Sequence, residues 1–414
     1  MAGLPIDSKR LQHQIDSLAA ISEAPAPVVT RVLFSDADLK GRAFVKNIGR
    51  ELDLSIRKDA VGNLFARWNG TNPNLPPVAT GSHIDAIPNA GRYDGVVGVL
   101  GALEAFRALK QTGFQPTRAL ELIIFTAEEP TRFGIGCLGS RLLAGALTLS
   151  KASALRDRDG RDLTHWRKRA GLANQKIKSV RLSKNCYSAF VELHIEQGPL
   201  LEKARIPIGV VEKIAAPSTL RVRLTGVGGH AGAMLMRDRH DALLAGAEIA
   251  LAVEYAALST RSPDTVATTG VFLIAPGAVN SVPCRAWLEI DLRDTRLRTR
   301  DGALKHIEAA VRRICRRRKI QFELERLNVD APAICAPALV STVTGVCNDL
   351  GIRVKKMISR AYHDSLFMAQ ICPTTMIFIP CRGGVSHRPD EYSSPSQIKK
   401  GVTVLAHTLA RLCR

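Results

Sequence analysis

The fold class of this 414-residue chain follows from residues 77–113, PVATGSHIDAIPNAGRYDGVVGVLGALEAFRALKQTG. An apolar run at 77–83 predicts a buried strand, a glycine-rich loop follows it, and residues 96–113 predict a helix that ends at Gly113. The next apolar run, ALELIIFTAEE at 119–129, predicts a second buried strand. Strands that alternate with helices indicate an α/β sheet covered by helices, and in such sheets ligands bind at the carboxyl ends of the strands.

The pattern changes between residues 213 and 330. STLRVRLTGVGGHAG at 218–232 alternates as a half-exposed strand does, and a helix, two strands joined by a turn and a basic helix follow it. This βαββα order predicts a small α+β domain inserted into the larger one. We therefore predict a catalytic domain with a helix-layered mixed β-sheet, formed by residues 1–212 and 331–414, and an inserted domain at 213–330.

The net charge of +20, from 58 Lys and Arg against 38 Asp and Glu, is the unusual feature of the composition. A basic chain suggests nucleic acid, an anionic membrane surface or an acidic substrate as a partner. The segment RRICRRRK at 312–319 lies on a predicted helix whose apolar residues recur at spacings of three and four, so its arginines face solvent. No aromatic residues interleave with them for stacking on bases. We therefore expect no nucleic-acid partner, and a basic nucleic-acid-binding protein on an inactive hydrolase fold is the remote alternative.

Signals for targeting and for disulfides are weak. The N-terminus, MAGLPIDSKRLQHQID, lacks an apolar segment of signal-peptide length, and no window reaches about eighteen uncharged apolar residues. We therefore expect a cytoplasmic protein with no membrane partner, or a secretory location if a leader has been removed. The nine cysteines are scattered and form no C-x-x-C pair, which predicts reduced thiols.

Four separated segments each place metal-binding side chains at the end of an apolar run. These residues are His83 and Asp94 in the glycine-rich loop, Glu128 and Glu129 after LELIIFTA, His194 in FVELHIEQGP, and His387 in CRGGVSHRPDE. Two adjacent carboxylates at a strand end are costly to desolvate unless cations compensate them. Three imidazoles with two carboxylates fit Zn²⁺ or Mn²⁺ better than Ca²⁺ or Mg²⁺.

The ligand count also suggests individual roles. Two ions about 3.5 to 4 Å apart need one bridging carboxylate and two further ligands each, and five ligands satisfy this count with Asp94 as the bridge. Asp85, close to His83 in the chain, can accept the second ring N–H of that histidine and fix its tautomer. Glu128, beside the ligand Glu129, is the expected general base that takes a proton from the attacking water.

Seven motifs in a fixed order resemble those of one enzyme group. They are GSHIDAIPNAGRYDGVVGVLGALEA, TAEEPTRFGIGCLGS, ELHIEQGPLLE, GGHAGAMLMRDRHDA, PGAVNSVPCRAWLEIDLRD, YHDSLFMA and GGVSHRPDEYSS. The chain resembles the hydantoinase/carbamoylase group of dinuclear metallopeptidase-like amidohydrolases, which includes N-carbamoyl-L-amino-acid hydrolases, allantoate amidohydrolases and ureidoglycolate amidohydrolases. GGHAGAMLM and SRAYHDSLFMA are most similar to the ureidoglycolate-hydrolysing members.

The resemblance implies a site and an assembly. One divalent ion would be held by His83, Asp94 and His194, and a second by Asp94, Glu129 and His387. The resemblance favours Mn²⁺, whereas the ligand types alone allow Zn²⁺ equally. The inserted domain would serve as a lid and as the contact of a homodimer. The remaining implied residues are His230 for the tetrahedral oxyanion of a neighbouring active site, Asn280 and Arg293 for the substrate carboxylate, and Gln197, Tyr362, His363, Gly384 and Val385 for other substrate contacts.

The reaction expected from the resemblance is hydrolysis of a ureido C–N bond in a small anionic substrate. The expected substrate is (S)-ureidoglycolate, with glyoxylate, ammonia and carbon dioxide as final products. Allantoate, an N-carbamoyl amino acid or a dipeptide on the same machinery are the alternatives.

Overall fold

The computed structural model describes residues 3–177 and 180–414, and their contacts divide the chain into two compact units. Unit 1 comprises Met1–Glu212, Ile334–Met357 and His363–Arg414, and unit 2 comprises Lys213–Ala333 and Ile358–Tyr362. The sequence analysis placed the short segment 358–362 in the catalytic domain. Its contacts assign it to unit 2, because Ser359 accepts a backbone hydrogen bond from Ala215 and Arg360 pairs with Asp264.

Unit 1 is built from strands and helices that alternate along the chain. Its elements, with the strands that complete its sheets, are α1 (Ser8–Ala19), β1 (Val29–Arg31), α2 (Asp36–Glu51), β2 (Ser55–Lys58), β3 (Leu64–Trp68), β4 (Val78–Ser82), β5 (Ala86–Ala90), α3 (Val96–Gln111), β6 (Leu120–Ile124), α4 (Leu138–Ala144), α5 (Leu149–Ala154), α6 (Leu163–Arg169), β7 (Ala189–Ile195), α7 (Leu200–Ala204) and β8 (Ile208–Ile214). After unit 2 the chain adds β15 (Ala333–Ile334), α10 (Pro337–Asp349), β16 (Val354–Ser359), α11 (Ser365–Met368), β17 (Thr374–Ile379) and α12 (Pro395–Leu412).

The main sheet has nine strands in the order β15-β8-β17-β7-β4-β6-β3-β2, with β16 paired to β8. The central strands β17, β7, β4 and β6 are parallel, whereas β8 and β3 join them antiparallel on the two sides. Every residue of these four central strands is buried, as expected when helices cover both faces of a parallel sheet. This arrangement is the predicted α/β fold with a mixed sheet.

Helix α3 lies against the sheet and follows the glycine-rich loop. Gly98 allows this close packing, because a Cβ at that position would lie 2.4 Å from the backbone oxygen of Leu193 on β7. Helix α12, which packs on α3, begins with a capping box between Ser394 and Gln397 and has Pro395 in its first turn. The loops that precede these two helices carry Asp94 and His387.

Unit 2 contains an antiparallel sheet and two long helices. Its elements are β9 (Ala216–Thr225), β10 (Gly229–His230), α8 (Ala242–Ser259), β11 (Val266–Ala275), β12 (Ser281–Val282), β13 (Arg285–Asp294), α9 (Leu297–Arg318) and β14 (Gln321–Val329). The sheet order is β11-β13-β9-β14, and apolar residues of β9 and β13 form one core with α8 and α9. The expected α+β domain is therefore present, with β14 added to its main sheet and β10 and β12 forming a separate two-stranded sheet. β14 was not predicted, and it is an edge strand whose residues are mostly exposed.

One described helix, Ala242–Ser259, is long and apolar enough by composition to cross a membrane. Its buried residues Ile249 and Val253 pack in the core of unit 2, and its Glu248 is paired with Arg317 and Arg318 of α9. The helix is therefore a layer of the unit 2 fold, and its apolar outer face needs a separate explanation.

Candidate metal centre

Four neighbouring parallel strands carry the predicted ligands to one edge of the unit 1 sheet. His83 follows β4, Glu128 and Glu129 follow β6, His194 lies near the end of β7, His387 lies in the loop after β17, and Asp94 lies between β5 and α3. The carboxyl ends of parallel strands meet at the same edge, so residues far apart in the sequence come together there.

The first ligand group consists of His83, Asp94 and His194. Asp94 Oδ1 lies 3.4 Å from Nε2 of His83 and 3.2 Å from Nε2 of His194. Nδ1 of His83 is 3.0 Å from the backbone oxygen of Asp85, and Nδ1 of His194 is 2.9 Å from that of Ile195. A carbonyl oxygen only accepts hydrogen bonds, so in each neutral imidazole the proton is on Nδ1. In the neutral rings Nε2 is therefore unprotonated and faces Asp94, as a metal ligand requires, whereas a charged ring donates from Nε2 to Asp94.

Asp94 directs its other carboxylate oxygen toward the second ligand group. Nε2 of His387 lies 3.3 Å from Asp94 Oδ2 and 3.3 Å from Glu129 Oε1. The two oxygens of Asp94 thus face different groups, which is the geometry of a bridging carboxylate. Gly95 permits the close approach, because it has a φ of +65° and a Cβ there would lie 2.5 Å from the ring of His83.

The predicted contact of the Asp85 side chain was wrong. Its Oδ1 is 3.7 Å from Nδ1 of His83, too far for a hydrogen bond, and the backbone oxygen of the same residue accepts the ring proton instead. The carboxylate accepts the backbone N–H groups of Glu128 at 3.3 Å and Glu129 at 3.0 Å. Asp85 therefore orients His83 through its main chain and anchors the Glu128–Glu129 peptide through its side chain. Sequence spacing cannot separate these two contacts, because the same residue makes both.

Glu128 is buried beside the ligand groups. Its Oε2 lies 3.8 Å from Nε2 of His83, and the thiol of Cys137 donates to its Oε1 at 3.6 Å. The preceding residue, Ala127, has a φ of +50°, a left-handed conformation that alanine seldom adopts. This turn lets Glu128 reach toward His83 while Glu129 reaches the second group, so the adjacent carboxylates have different partners.

The electrostatics of the site favour positive charge. Burial raises the pKa of Glu128 well above its usual range, and the nearby carboxylate of Glu129 raises it further. Burial also raises the pKa of Asp94, but hydrogen bonds from His194 and His387 outweigh burial and hold that pKa well below its usual range. Hydrogen bonds to Asp94 and Glu129 raise the pKa of His387 to about 11. The site thus favours positive charge beside its carboxylates, and imidazole and carboxylate donors fit divalent cations such as Mn²⁺ or Zn²⁺.

Two predicted substrate contacts of unit 1 lie against the ligands. Nε2 of Gln197 donates to Asp94 Oδ2 at 2.6 Å, while its Oε1 is buried without a hydrogen-bond partner among the described residues. The ring of His363 lies 4.4 Å from the ring of His194 and is buried. Gln197 therefore presents an unsatisfied acceptor at the site, as a substrate contact should.

The backbone positions Gly384 and Val385 lie in the loop before His387. Gly384 has a φ of +70°, and a Cβ there would lie 2.6 Å from the backbone nitrogen of Pro199. Gly383 and His387 have φ values of +63° and +60°, so the loop reaches the site through three residues in the left-handed region. The glycines of CRGGVSH are required by this tight path.

The other four predicted site residues belong to unit 2, where they form two pairs. His230 on β10 pairs in register with Ser281, and the backbone N–H of Ala231 donates to the backbone oxygen of Asn280 at 2.8 Å. Arg293 holds Asp291 through two hydrogen bonds of 2.7 and 3.1 Å, and its guanidinium lies 5.4 Å from the ring centre of Tyr362. Unit 2 thus brings His230 close to Asn280, and Arg293 close to Tyr362.

Two buried acids next to the ligands were missed by the sequence analysis. Glu192 accepts hydrogen bonds from the hydroxyl groups of Ser82 at 2.8 Å and Ser365 at 2.6 Å. Glu391 accepts a backbone N–H from Asp94 at 3.1 Å. A charged residue inside the apolar run FVELHI was a usable signal for Glu192. Glu391 lies in a polar loop, where nothing in the sequence distinguishes it from exposed acids.

The whole chain is similar to proteins of known families. The sequence profile of peptidase family M20/M25/M40 matches residues 79–411. The ureidoglycolate hydrolase of Arabidopsis thaliana is 52% identical over 99% of this chain and 88% of its own length. An N-carbamoyl-L-amino acid amidohydrolase of Geobacillus stearothermophilus is 35% identical over 99% of both chains.

A solved structure matches the fold equally well. The crystal structure of AtUAH in complex with glyoxylate superposes with a TM-score of 0.95 at 51% identity, covering 100% of this chain and 99% of that one. Enzymes of the matched family are generally metal-dependent, in keeping with the two ligand groups that share Asp94. The chain belongs to peptidase family M20/M25/M40 and is a hydrolase.

Proposed function

We propose that the protein hydrolyses (S)-ureidoglycolate, with glyoxylate, ammonia and carbon dioxide as the final products, and that it uses two divalent ions, Mn²⁺ in preference to Zn²⁺. The observation that carries the two-ion hydrolase is the division of the Asp94 oxygens between two histidine-containing groups. The choice of substrate is supported by 52% identity to a ureidoglycolate hydrolase, against 35% to an N-carbamoyl-L-amino acid amidohydrolase.

Two bound ions supply polarisation of the ureido carbonyl and acidification of the attacking water. The chain's own contribution begins with Glu128, which is buried with its Oε2 3.8 Å from Nε2 of His83 and is placed to act on a water bound at the ligand groups. Glu128 takes the proton of that water and passes it to the leaving nitrogen. Asp85 keeps the Glu128 backbone in place through the hydrogen bond from its N–H.

His230 is suited to stabilise the oxyanion of the tetrahedral state. The backbone N–H of Gly232 donates to Nδ1 of His230 at 3.1 Å, so in the neutral ring the proton is on Nε2. The ring is exposed and therefore presents a hydrogen-bond donor to a substrate oxygen. We propose that Asn280, whose backbone oxygen accepts the N–H of Ala231 next to His230, contacts the substrate carboxylate.

Arg293 is suited to bind the substrate carboxylate. A planar guanidinium binds a carboxylate through two parallel hydrogen bonds. Asp291 and the ring of Tyr362 hold this guanidinium from two directions, which reduces the entropy that it loses on binding substrate. We propose that Gln197 and His363 complete the substrate contacts in unit 1.

We also propose that the protein is a homodimer that associates through unit 2. The outer face of α8 exposes Leu251, Tyr255 and Leu258 at 66%, 74% and 73%, an unusual apolar surface for a monomer. α8 packs beside β11, and β11 is the edge strand of its sheet. A two-fold axis can place the apolar face of α8 and the edge of β11 against the same features of a second copy. We therefore propose a second copy of this chain as the partner.

Light scattering after size exclusion tests the dimer. The wild-type protein is expected at twice the chain mass, and replacement of Leu251 and Leu258 by glutamate is expected to give the monomer mass. A monomeric wild-type protein at micromolar concentration would contradict the dimer.

A substrate panel tests the reaction. The metal-free protein is reconstituted with Mn²⁺ or with Zn²⁺, and ammonia release is measured from (S)-ureidoglycolate, allantoate and several N-carbamoyl-L-amino acids. We expect the highest kcat/KM for (S)-ureidoglycolate with Mn²⁺. Faster turnover of allantoate or of a carbamoyl amino acid would replace the proposed substrate, and higher activity with Zn²⁺ would replace the proposed metal.

A further inference from the structure

Glu391 joins the two loops that supply the bridging ligand and the last histidine. This buried carboxylate is not a member of either ligand group. Its Oε1 accepts the backbone N–H of Tyr93 at 2.8 Å and that of Asp94 at 3.1 Å. Its Oε2 lies 2.8 Å from the hydroxyl of Ser386, the residue before His387.

Ser386 extends this connection to the bridging carboxylate itself. Its hydroxyl lies 2.8 Å from Asp94 Oδ2, the oxygen that faces His387. Glu391 therefore contacts Asp94 directly at the main chain, and the Ser386 hydroxyl lies between the two side chains, with one proton to donate to either carboxylate. Asp94 Oδ2 also accepts the Nε2–H of Gln197 at 2.6 Å. With the backbone and this oxygen held, the second oxygen, Oδ1, is directed toward His83 and His194.

Gly91 provides the space for this contact. A Cβ at Gly91 would lie 2.4 Å from the Cβ of Glu391 and 2.6 Å from its Oε1. Any side chain at this position would push the loop that carries Asp94 away from Glu391.

We propose that Glu391 and Ser386 are positioning residues that set the orientation of the Asp94 carboxylate, so that one oxygen serves each metal ion. This inference rests on the proposed two-ion site but not on the proposed substrate. The hydrogen bonds themselves perform the role, because the two backbone N–H groups require an acceptor at Oε1 and Ser386 requires a partner at Oε2.

The test follows Mn²⁺ binding rather than turnover. Metal-free protein is titrated with Mn²⁺, the bound ions are counted by elemental analysis, and electron paramagnetic resonance distinguishes a coupled Mn²⁺ pair from isolated ions. The variants are Glu391→Gln, Glu391→Ala, Ser386→Ala and Gly91→Ala. In Glu391→Gln the amide oxygen can accept both N–H groups and the amide N–H can donate to Ser386, so we expect the coupled pair to remain.

Glu391→Ala and Gly91→Ala are expected to weaken binding of the second ion about 10- to 100-fold and to remove the coupled signal. Ser386→Ala removes a single hydroxyl, so we expect a smaller loss of second-ion binding and of the coupled signal. If Glu391→Ala does not fold, Ser386→Ala tests the positioning role. Asp390→Asn is the matched control, because the neighbouring Asp390 is exposed and pairs only with Arg388 among the ion pairs of the described residues.

The possible results separate the inference from the proposed function. A wild-type protein that binds fewer than two Mn²⁺ ions would overturn the two-ion site and this inference with it. A wild-type coupled pair that persists in folded Glu391→Ala and Ser386→Ala would overturn only the positioning role. A coupled pair lost equally in Glu391→Gln and Glu391→Ala would also overturn it, since the hydrogen bonds would then not be the cause.

Discussion

In the structure the Asp85 side chain anchors the Glu128–Glu129 peptide, whereas the sequence predicted that this side chain orients His83. Replacement of Asp85 by alanine distinguishes these two roles. The carboxylate accepts the backbone N–H groups of Glu128 and Glu129. Each buried donor left without a partner costs about 1–3 kcal/mol, so two of them lower the free energy of unfolding by about 2–6 kcal/mol. The buried charge of Asp85 has the opposite effect on the free energy of unfolding.

Burial raises the pKa of the Asp85 carboxyl from 3.8 to about 6. Above pH 6 the ionised group therefore destabilises the metal-free folded protein by about 3 kcal/mol, and this cost disappears as the pH falls from 6 toward 4. At pH 7.5 alanine removes this cost together with the hydrogen bonds. The expected net change in the free energy of unfolding then lies between a gain of about 1 kcal/mol and a loss of about 3 kcal/mol, which leaves a folded protein that can be assayed.

Activity is expected to change far more than stability. Without its anchor the Glu128–Glu129 peptide moves, and a shift of about 1 Å in a catalytic group costs about 100-fold in rate. We expect kcat at saturating Mn²⁺ to fall about 100-fold in Asp85→Ala, with urea unfolding of the metal-free protein giving the stability. Glu104→Ala is the matched control, because buried Glu104 also accepts a backbone N–H, that of Asp7, but has no contact with the ligand groups among the described residues.

Two results would refute this reasoning. Wild-type kcat in folded Asp85→Ala would show that the side chain does not hold Glu128 in place. Weaker Mn²⁺ binding with wild-type kcat at saturating Mn²⁺ would return the side chain to the role of orienting His83.

Three further outcomes are expected. Asp94→Ala is expected to lower bound Mn²⁺ from two ions to fewer than one per chain by elemental analysis, and retention of one tightly bound ion would contradict a shared bridge. Glu128→Gln is expected to keep both ions while kcat falls about 10²- to 10⁴-fold. Because burial raises the pKa of Glu128, the same change is also expected to raise the Tm of the metal-free protein at pH 8 but not at pH 4, where the carboxyl is protonated in both states. His230→Ala is expected to lower kcat about 100-fold with Mn²⁺ stoichiometry unchanged, and an equal loss in bound metal would show a structural role instead.

The order of strands and helices was predictable because it depends on local patterns. The central strands β4, β6, β7 and β17 are continuous apolar runs, and such runs are readable without knowing what packs on them. The edge strand β14 was not predicted, because its residues are mostly exposed and its partners, among them Arg223 for Glu323, are fixed only by the folded chain.

The clustering of the predicted ligands was predictable for a related reason. A histidine or a pair of acids at the end of an apolar run is conspicuous, and parallel strands bring their carboxyl ends to one edge. His83, His194 and His387 could therefore be grouped before any distance was known. What they do in the reaction stays a prediction until the variants are measured.

Residue identity thus sufficed for the fold class, the ligand types and the family resemblance, because these depend on composition, spacing and order along the chain. Only the folded chain showed that Asp94 turns one oxygen to each ligand group, that the Asp85 side chain holds the Glu128–Glu129 peptide, and that Glu391 joins two distant loops. These contacts depend on the direction of individual oxygen atoms and on backbone N–H groups. Every residue carries such N–H groups except proline, so no sequence pattern can mark which of them a buried carboxylate will bind.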